Sequence, residues 1–256
     1  MLYISAVIIT RDDAERVSKL AEHLLGIVND VLVLIDDRSG ADVAEALSQV
    51  SGCRYETYSF NGFGEAKRKA VSLAKHDWIF SMDADEWPDE ACLESLAQLD
   101  LSIPAIYKFK RLNHYCGRPI RGCGWYPDHV IRVFHRSVAN FCELKVHESV
   151  KPLDGKLAPV ELPGHILHYS FEGSHQLLQK LIHYSVIYAE NYSGKPKPVG
   201  LILLRTLVAF VKFYFLKKGV CYGRDGFIIS LMNAGGVFHK HWRAAEVIRA
   251  RGTFSS

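Results

Sequence analysis

Asp83-Ala84-Asp85 is the stretch of this sequence with the most direct chemical use. A strand puts residues two apart on the same side. If a strand ends at this point, both carboxylates can face one hard cation. Mg²⁺ or Mn²⁺ takes one or two protein carboxylates and fills its shell with water and phosphate oxygens. Such an ion neutralises a diphosphate and makes it a better leaving group. The alternative is plainer: a solvated turn whose acids cap the helix that follows.

Other acids end apolar runs in the same way. Tyr3 to Ile9 reads as a strand followed by Asp12-Asp13, and Val31 to Ile35 as a strand ending in Asp36-Asp37. Cys53 to Tyr58 and Trp78 to Met82 are further strands. Between them, Asp12 to Leu25, Ala41 to Val50 and Glu65 to Lys75 carry helical spacing. Pro88 stands at an expected helix start, with the helix running to Leu99. Alternating strands and helices predict an α/β fold, with a mostly parallel central sheet and helices on both faces. Ligands bind such sheets at the carboxyl ends of the strands. The topology therefore brings Asp12, Asp36-Asp37 and Asp83-Asp85 to one edge.

Beyond Ile103 the rhythm changes. Ala105 to Leu112 and His129 to Phe134 read as strands joined by longer loops, and Leu162 to Leu167 is an apolar stretch able to rejoin the sheet. Helical spacing resumes at Ser174 and predicts a C-terminal helical extension. We place a catalytic domain over residues 1–170 and the extension over residues 171–256. Asn191 to Pro198 is the linker candidate within the extension.

With 256 residues, 48% of them hydrophobic, the chain can bury a core without disulfides or structural metal. A formal net charge of only +3 gives no nucleic-acid footprint. The apolar start, Met1 to Ile9, is too short for a signal h-region and lacks a basic lead, which predicts a buried strand and reduced cysteines. His114, Cys116, Cys123 and His129 are zinc-type donors, but Cys-x6-Cys flanked by single histidines is not a usual zinc spacing. Trp125 and Tyr126 could offer faces to sugar C–H groups or serve as core packing.

Four blocks, in order, carry a resemblance: Ala6-Val7-Ile8-Ile9-Thr10-Arg11-Asp12; Val33-Leu34-Ile35-Asp36; Gly62-Phe63-Gly64-Glu65-Ala66-Lys67; and Asp77 through Glu86. Their sequence and spacing resemble family 2 glycosyltransferases. Asn113-His114-Tyr115, Gly124 to Asp128, Val146-His147-Glu148 and Leu167 to Ser170 extend the resemblance to the bacterial subgroup that adds glucose to the inner-core heptose of lipopolysaccharide. The resemblance implies a GT-A fold, an inverting mechanism, a UDP-sugar donor, Mg²⁺ or Mn²⁺ as cofactor, and a lipopolysaccharide core acceptor. It places Thr10 and Asp36 at the nucleoside and Lys67 near the nucleobase and diphosphate. Asp83 falls at ribose or metal, and Asp85 at the metal. The chain departs from the family pattern at Asp12-Asp13 and at Asp36-Asp37-Arg38-Ser39, where the reading for Arg38 is a solvated side chain rather than a phosphate ligand.

An inverting transfer needs a carboxylate within reach of the acceptor hydroxyl. Many relatives hold a Glu-Asp pair some residues after a Gly-Phe stretch. Here Asn140-Phe141 is followed, at a similar offset, by His147-Glu148, which makes Glu148 the expected base and Asp128 the second candidate. Glu148 could instead pair with an arginine such as Arg132. His168 is a candidate third metal ligand, or a hydrogen-bonded core histidine. Two rival classes remain. A nucleotidyltransferase would carry a Gly-rich basic loop where Thr10-Arg11-Asp12-Asp13 stands. A peripheral membrane protein would bind the nucleotide sugar without turnover.

Val199 to Leu216 is nearly long enough to span a bilayer, but Arg205 and Lys212 interrupt it. They lie seven apart and share a helix face. The pattern suits a helix lying on an anionic membrane surface, and equally a packed or dimer-forming helix. With a lipid-anchored acceptor, it implies a cytoplasmic protein peripheral to the inner membrane.

Overall fold

A computed structural model describes residues 2–142 and 149–253. The chain opens with the expected alternation. β1 (Leu2–Thr10), β2 (Val28–Asp36), β3 (Cys53–Tyr58) and β4 (Trp78–Asp83) are separated by α1 (Ala14–Leu25), α2 (Ala41–Ser48) and α3 (Phe63–Leu73). β5 (Glu86–Pro88) and α4 (Glu90–Ala97) follow. Then come β6 (Ile106–Tyr115), β7 (Arg118–Pro119), β8 (Asp128–His135), β9 (Ala139–Phe141), β10 (Val150–Pro152) and β11 (Val160–Phe171). The helices α5 (Ser174–Glu190), α6 (Val199–Val211) and α7 (Gly223–Thr253) complete the chain, with a π-helical turn Lys212–Leu216 and a 3-10 turn Gly219–Tyr222 before α7.

Among the described residues the main sheet has nine strands in the order β3-β2-β1-β4-β8-β6-β11-β5, with β7 on β6. The pairs β1–β2, β1–β4 and β2–β3 are parallel. β8 then joins β4 and β6 antiparallel, and β5 joins β11 antiparallel. The α/β class expected from the sequence is present, with its parallel half at the N-terminus.

Continuous apolar runs in β1 and β2 are what a strand covered on both faces requires. Ile4, Ala6 and Ile8 pack with Val17, Leu20 and Leu24 of α1 and with Val43 and Leu47 of α2. On the opposite face Val7 and Leu34 pack with Ala66, Ala70 and Val71 of α3.

By compactness the chain divides into two units, Met1–Arg111 with Asp128–His168, and Leu112–Pro127 with Tyr169–Ser256. In the second, Tyr115, Ile120, Cys123, Phe171, Leu177 and Ile229 form a buried apolar cluster. α5 and α7 are joined there by Ser185 Oγ and His239 Nδ1 at 2.6 Å.

The helix expected from Pro88 to Leu99 is present as α4, but it starts at Glu90, and Pro88 belongs to a strand. Glu86-Trp87-Pro88 pair with His168-Leu167-Ile166 of β11. Pro88 is tolerated because β5 lies at the end of the sheet order, where a missing N–H costs no ladder bond. Asp89 is the true N-cap of α4, its Oδ1 accepting from Cys92 N at 2.9 Å and from His165 N at 2.8 Å.

Gly164 makes this arrangement possible. Its φ is +95°, and a Cβ there would lie 2.2 Å from the backbone nitrogen of Cys92. We expect Gly164→Ala to lower the unfolding free energy by about 3 kcal/mol, from left-handed strain and overpacking together. Urea titration measures it, and a loss under about 1 kcal/mol would mean that β11 and α4 separate easily.

Candidate active site

The parallel register puts the carboxyl ends of β1, β2 and β4 side by side. Thr10 stands opposite Ile35, and Ile9 opposite Asp83. Thr10, Asp36 and Asp83 therefore reach one edge; the sequence pattern predicts this for the acids Asp36 and Asp83.

Thr10 is almost buried and its Oγ1 donates to the carbonyl of Asp12 at 2.9 Å. Asp36 is buried as well. Its Oδ1 accepts from Arg38 N at 2.9 Å and from Arg38 Nε at 2.8 Å, while Arg38 Nη2 bonds Oδ2. These bonds outweigh burial and draw the Asp36 carboxyl down to about 2. Arg38 is solvent-exposed, as expected, and in addition it grips Asp36 and lies 4.7 Å over the Phe60 ring.

Asp83 ends β4, but Ala84 and Asp85 form a turn, so the same-side rule for strands does not govern this pair. The two carboxylates have different neighbours. Asp83 Oδ1 lies 2.7 Å from Nζ of Lys67, a buried residue of α3. Its Oδ2 accepts from Arg132 Nη2 at 2.9 Å. Burial would raise the Asp83 carboxyl, but the two cations prevail and hold it well below the usual carboxylate range. Asp85 is half-exposed, and its Oδ2 lies 3.1 Å from His168 Nε2. There too burial pushes up, the His168 contact pulls down, and the net direction is down.

Sequence reasoning did not assemble the group beneath this edge: it gave Glu86 and Arg111 no role, and named Asp128 and Arg132 only as a base candidate and a pairing arginine. Glu86, with 0% side-chain exposure, receives Arg132 Nε on Oε2 at 2.7 Å and Arg132 Nη2 on Oε1 at 2.5 Å. It also accepts from Asp83 N at 3.2 Å. Arg111 Nη1 stands 3.6 Å from Glu86, and Arg111 Nε and Nη2 hold Asp128 Oδ2 at 2.9 and 2.8 Å. A single arginine inside the apolar strand His129-Val130-Ile131-Arg132-Val133-Phe134 was the available signal. A buried guanidinium needs carboxylate partners to offset its desolvation. Burial alone would depress the guanidinium pKa, but Glu86 and Asp83 raise it.

Glu148, the expected base, and its neighbour His147 lie outside the described residues. Asp128 is described and stands in the Arg111 pair. His168, predicted as ligand or core histidine, lies opposite Glu86 on β11 with its ring on Asp85. Among the described residues no three His, Cys, Asp or Glu side chains converge on one metal position. Asp85 Oδ2 and His168 Nε2 do converge, and their 3.1 Å separation matches the edge of about 3.0 Å of an octahedron with ~2.1 Å bonds. These two donors fit a small hard cation.

The zinc-type residues are occupied elsewhere. Cys116 Sγ donates to Glu172 O at 3.3 Å, Cys123 Sγ to Gly226 O at 3.7 Å, and His129 pairs with Glu161 at 3.0 Å. His114 stacks on Tyr169. All six cysteines are free thiols. Trp125 packs against Phe171 at 5.1 Å, beside the core of the second unit.

A model of the family described as "Glycosyl transferase family 2" matches residues 5–120. An uncharacterized glycosyltransferase of Rickettsia typhi is 25% identical over 100% of this chain and 91% of its own length. The lipopolysaccharide core biosynthesis glycosyltransferase LpsC of Rhizobium meliloti is 26% identical over 91% of this chain and 88% of its own. Among solved structures, the mannosyltransferase PcManGT from Pyrobaculum calidifontis, in complex with GDP-Man and Mn²⁺, is similar over 98% of this chain and 79% of that chain. It is 11% identical, with a TM-score of 0.49.

Proposed function

We propose that this chain is a family 2 glycosyltransferase, as its match to that family's model over residues 5–120 supports, and that it moves a hexose, glucose, from a UDP-sugar to a heptose of the lipopolysaccharide core with inversion. The observation that carries this reading is the edge itself. Thr10, Asp36 and Asp83 end β1, β2 and β4 at the carboxyl side of the parallel strands, with Asp85 in the turn that follows, all within the stretch that matches the family model, and Lys67 and Arg132 supply cations beside Asp83. The acceptor class is supported by the LpsC relative.

Thr10 and Asp36 hold the nucleoside, and Arg38 fixes the Asp36 carboxylate for that contact. Lys67 and Asp83 stand at the diphosphate and ribose. Asp85 and His168 are the residues that hold Mg²⁺ or Mn²⁺, with Asp83 alongside. When bound there, the ion offsets the charge that builds on the departing UDP. The acceptor hydroxyl attacks the anomeric carbon from the face opposite UDP. One C–O bond forms, the bond to the diphosphate oxygen breaks, and the hydroxyl proton passes to a carboxylate. We assign that carboxylate to Glu148, because Asp128 Oδ2 already takes two N–H groups of Arg111. We take residues 1–170 as the catalytic domain and residues 171–256 as its helical extension, working at the cytoplasmic face of the inner membrane.

The test is a panel of UDP-sugars with a heptose-containing acceptor, reading UDP release with and without Mg²⁺ or Mn²⁺. Metal-dependent release that is fastest with UDP-glucose is the expected result; no release with any UDP-sugar would sink the reading. Glu148→Gln is expected to lower kcat by about 100-fold or more, with little change in donor KM. An unchanged kcat would remove Glu148 as the base.

A further inference from the structure

The second unit carries an apolar surface that its own packing leaves uncovered. Val199–Leu216 has a mean hydropathy of 2.0, yet only 11% of it is buried. On a helix of ~3.6 residues per turn, Ile202 and Ala209 share a face; both are buried. Phe210 and Tyr214 meet Phe227 of α7 at 5.7 and 5.9 Å. The opposite face presents Leu203, Leu204, Leu207, Val208 and Val211 to solvent. A contiguous apolar face of this kind marks a partner or membrane surface.

Charge decides between the occupants. From Asn191 to Arg224 there is no Asp or Glu, and there are seven Lys or Arg. Arg205 and Lys212 lie along one flank of the apolar face, and Lys217 and Lys218 follow at its end; all four are exposed. A second copy seated on this face would bring two such basic collars together. An anionic bilayer would satisfy both the apolar face and the collar. Spanning fits less well, because Arg205 and Lys212 divide the stretch into thirds and would enter the hydrocarbon. The face bearing Ile202 and Ala209 is also already taken by packing.

We infer that Val199–Leu216 lies in the plane of an anionic membrane, with Leu203, Leu204, Leu207, Val208 and Val211 below the headgroups and Arg205, Lys212, Lys217 and Lys218 at phosphate level. This gives the membrane placement proposed above a defined surface and orientation. It does not depend on which sugar is moved, so the two readings fail separately.

The experiment is co-sedimentation of the full chain with phosphatidylcholine vesicles with and without phosphatidylglycerol. Binding to the anionic vesicles at least about tenfold stronger, and weakened by salt, is expected. Leu204→Glu/Leu207→Glu should abolish it, and Lys212→Glu/Lys217→Glu should weaken it about tenfold or more. Both variants change exposed side chains, so circular dichroism should match the parent, and UDP release with a soluble acceptor should persist. Failure of the parent chain to bind anionic vesicles would overturn the inference. So would unchanged binding by Leu204→Glu/Leu207→Glu, or a dimer in sedimentation that this variant disrupts while vesicles go unbound.

Discussion

Arg132→Met is expected to lower the unfolding free energy by about 3–5 kcal/mol, the usual loss when one partner of a buried ion pair is removed. It is also expected to lower kcat/KM for transfer by about 100-fold or more, the scale for losing one charged donor at a reacting centre. Both effects follow from where the guanidinium sits. Its Nε and Nη2 saturate Glu86, whose side chain has no solvent exposure, and Nη2 also reaches Asp83. Methionine fills similar volume but leaves Glu86 buried with the Asp83 N–H at 3.2 Å and, as its nearest described cation, the more distant Arg111 at 3.6 Å. The two effects can be separated. In Arg132→Met/Glu86→Leu the orphaned carboxylate is gone, and most of the stability should return, because well-packed apolar groups replace buried pairs at little cost. Activity should not return, since Asp83 still lacks the cation that orients it. Urea titrations and kcat/KM on the two variants decide the matter. Recovery of transfer in the double variant would make Arg132 a fold residue only.

The contrast between what was legible and what was not runs along range. β1, β2 and β4 announce themselves as apolar runs because both faces of each are covered, and acids stand at or just past their ends because the next residues emerge at the sheet edge. β1, β2 and β4 could therefore be placed, and with them Thr10, Asp36 and Asp83. Asp83 and Asp85 were harder to resolve, since only the turn at Ala84-Asp85 sends one carboxylate to Lys67 and Arg132 and the other to His168. Pro88 reads locally as a helix start. The competing preference comes from β11, some eighty residues later, which claims Glu86 to Pro88 as an edge strand. Arg38 is solvated as read, but its grip on Asp36 was not legible, because nothing local shows that the carboxylate two residues back is buried and needs a donor. The Glu86–Arg132–Arg111–Asp128 group joins three strands distant in sequence, and its only trace in the sequence is one arginine inside an apolar strand.

Asp85→Ala should be the most damaging change at the sheet edge, with kcat/KM falling on the order of 10³-fold. The environments of the two aspartates give the reason. Asp83 already has its charge answered by Lys67 and Arg132, within 2.9 Å on each oxygen. Asp85 has only His168 among its described ionic partners, and it is the half-exposed member of the pair. A cation at this edge would be held by Asp85 and His168, and the carboxylate would supply the negative charge that imidazole cannot. His168→Ala removes a nitrogen donor and should cost less. Mn²⁺ affinity, read directly by electron paramagnetic resonance in the presence of UDP, should fall in both variants and further in Asp85→Ala. Asp83→Asn should instead shift donor KM and leave Lys67 and Arg132 without their shared counter-charge. If Asp85→Ala keeps full transfer while the reaction still requires metal, the ion is held elsewhere, and the convergence of Asp85 with His168 is a structural hydrogen bond that ties the β4–β5 turn to β11.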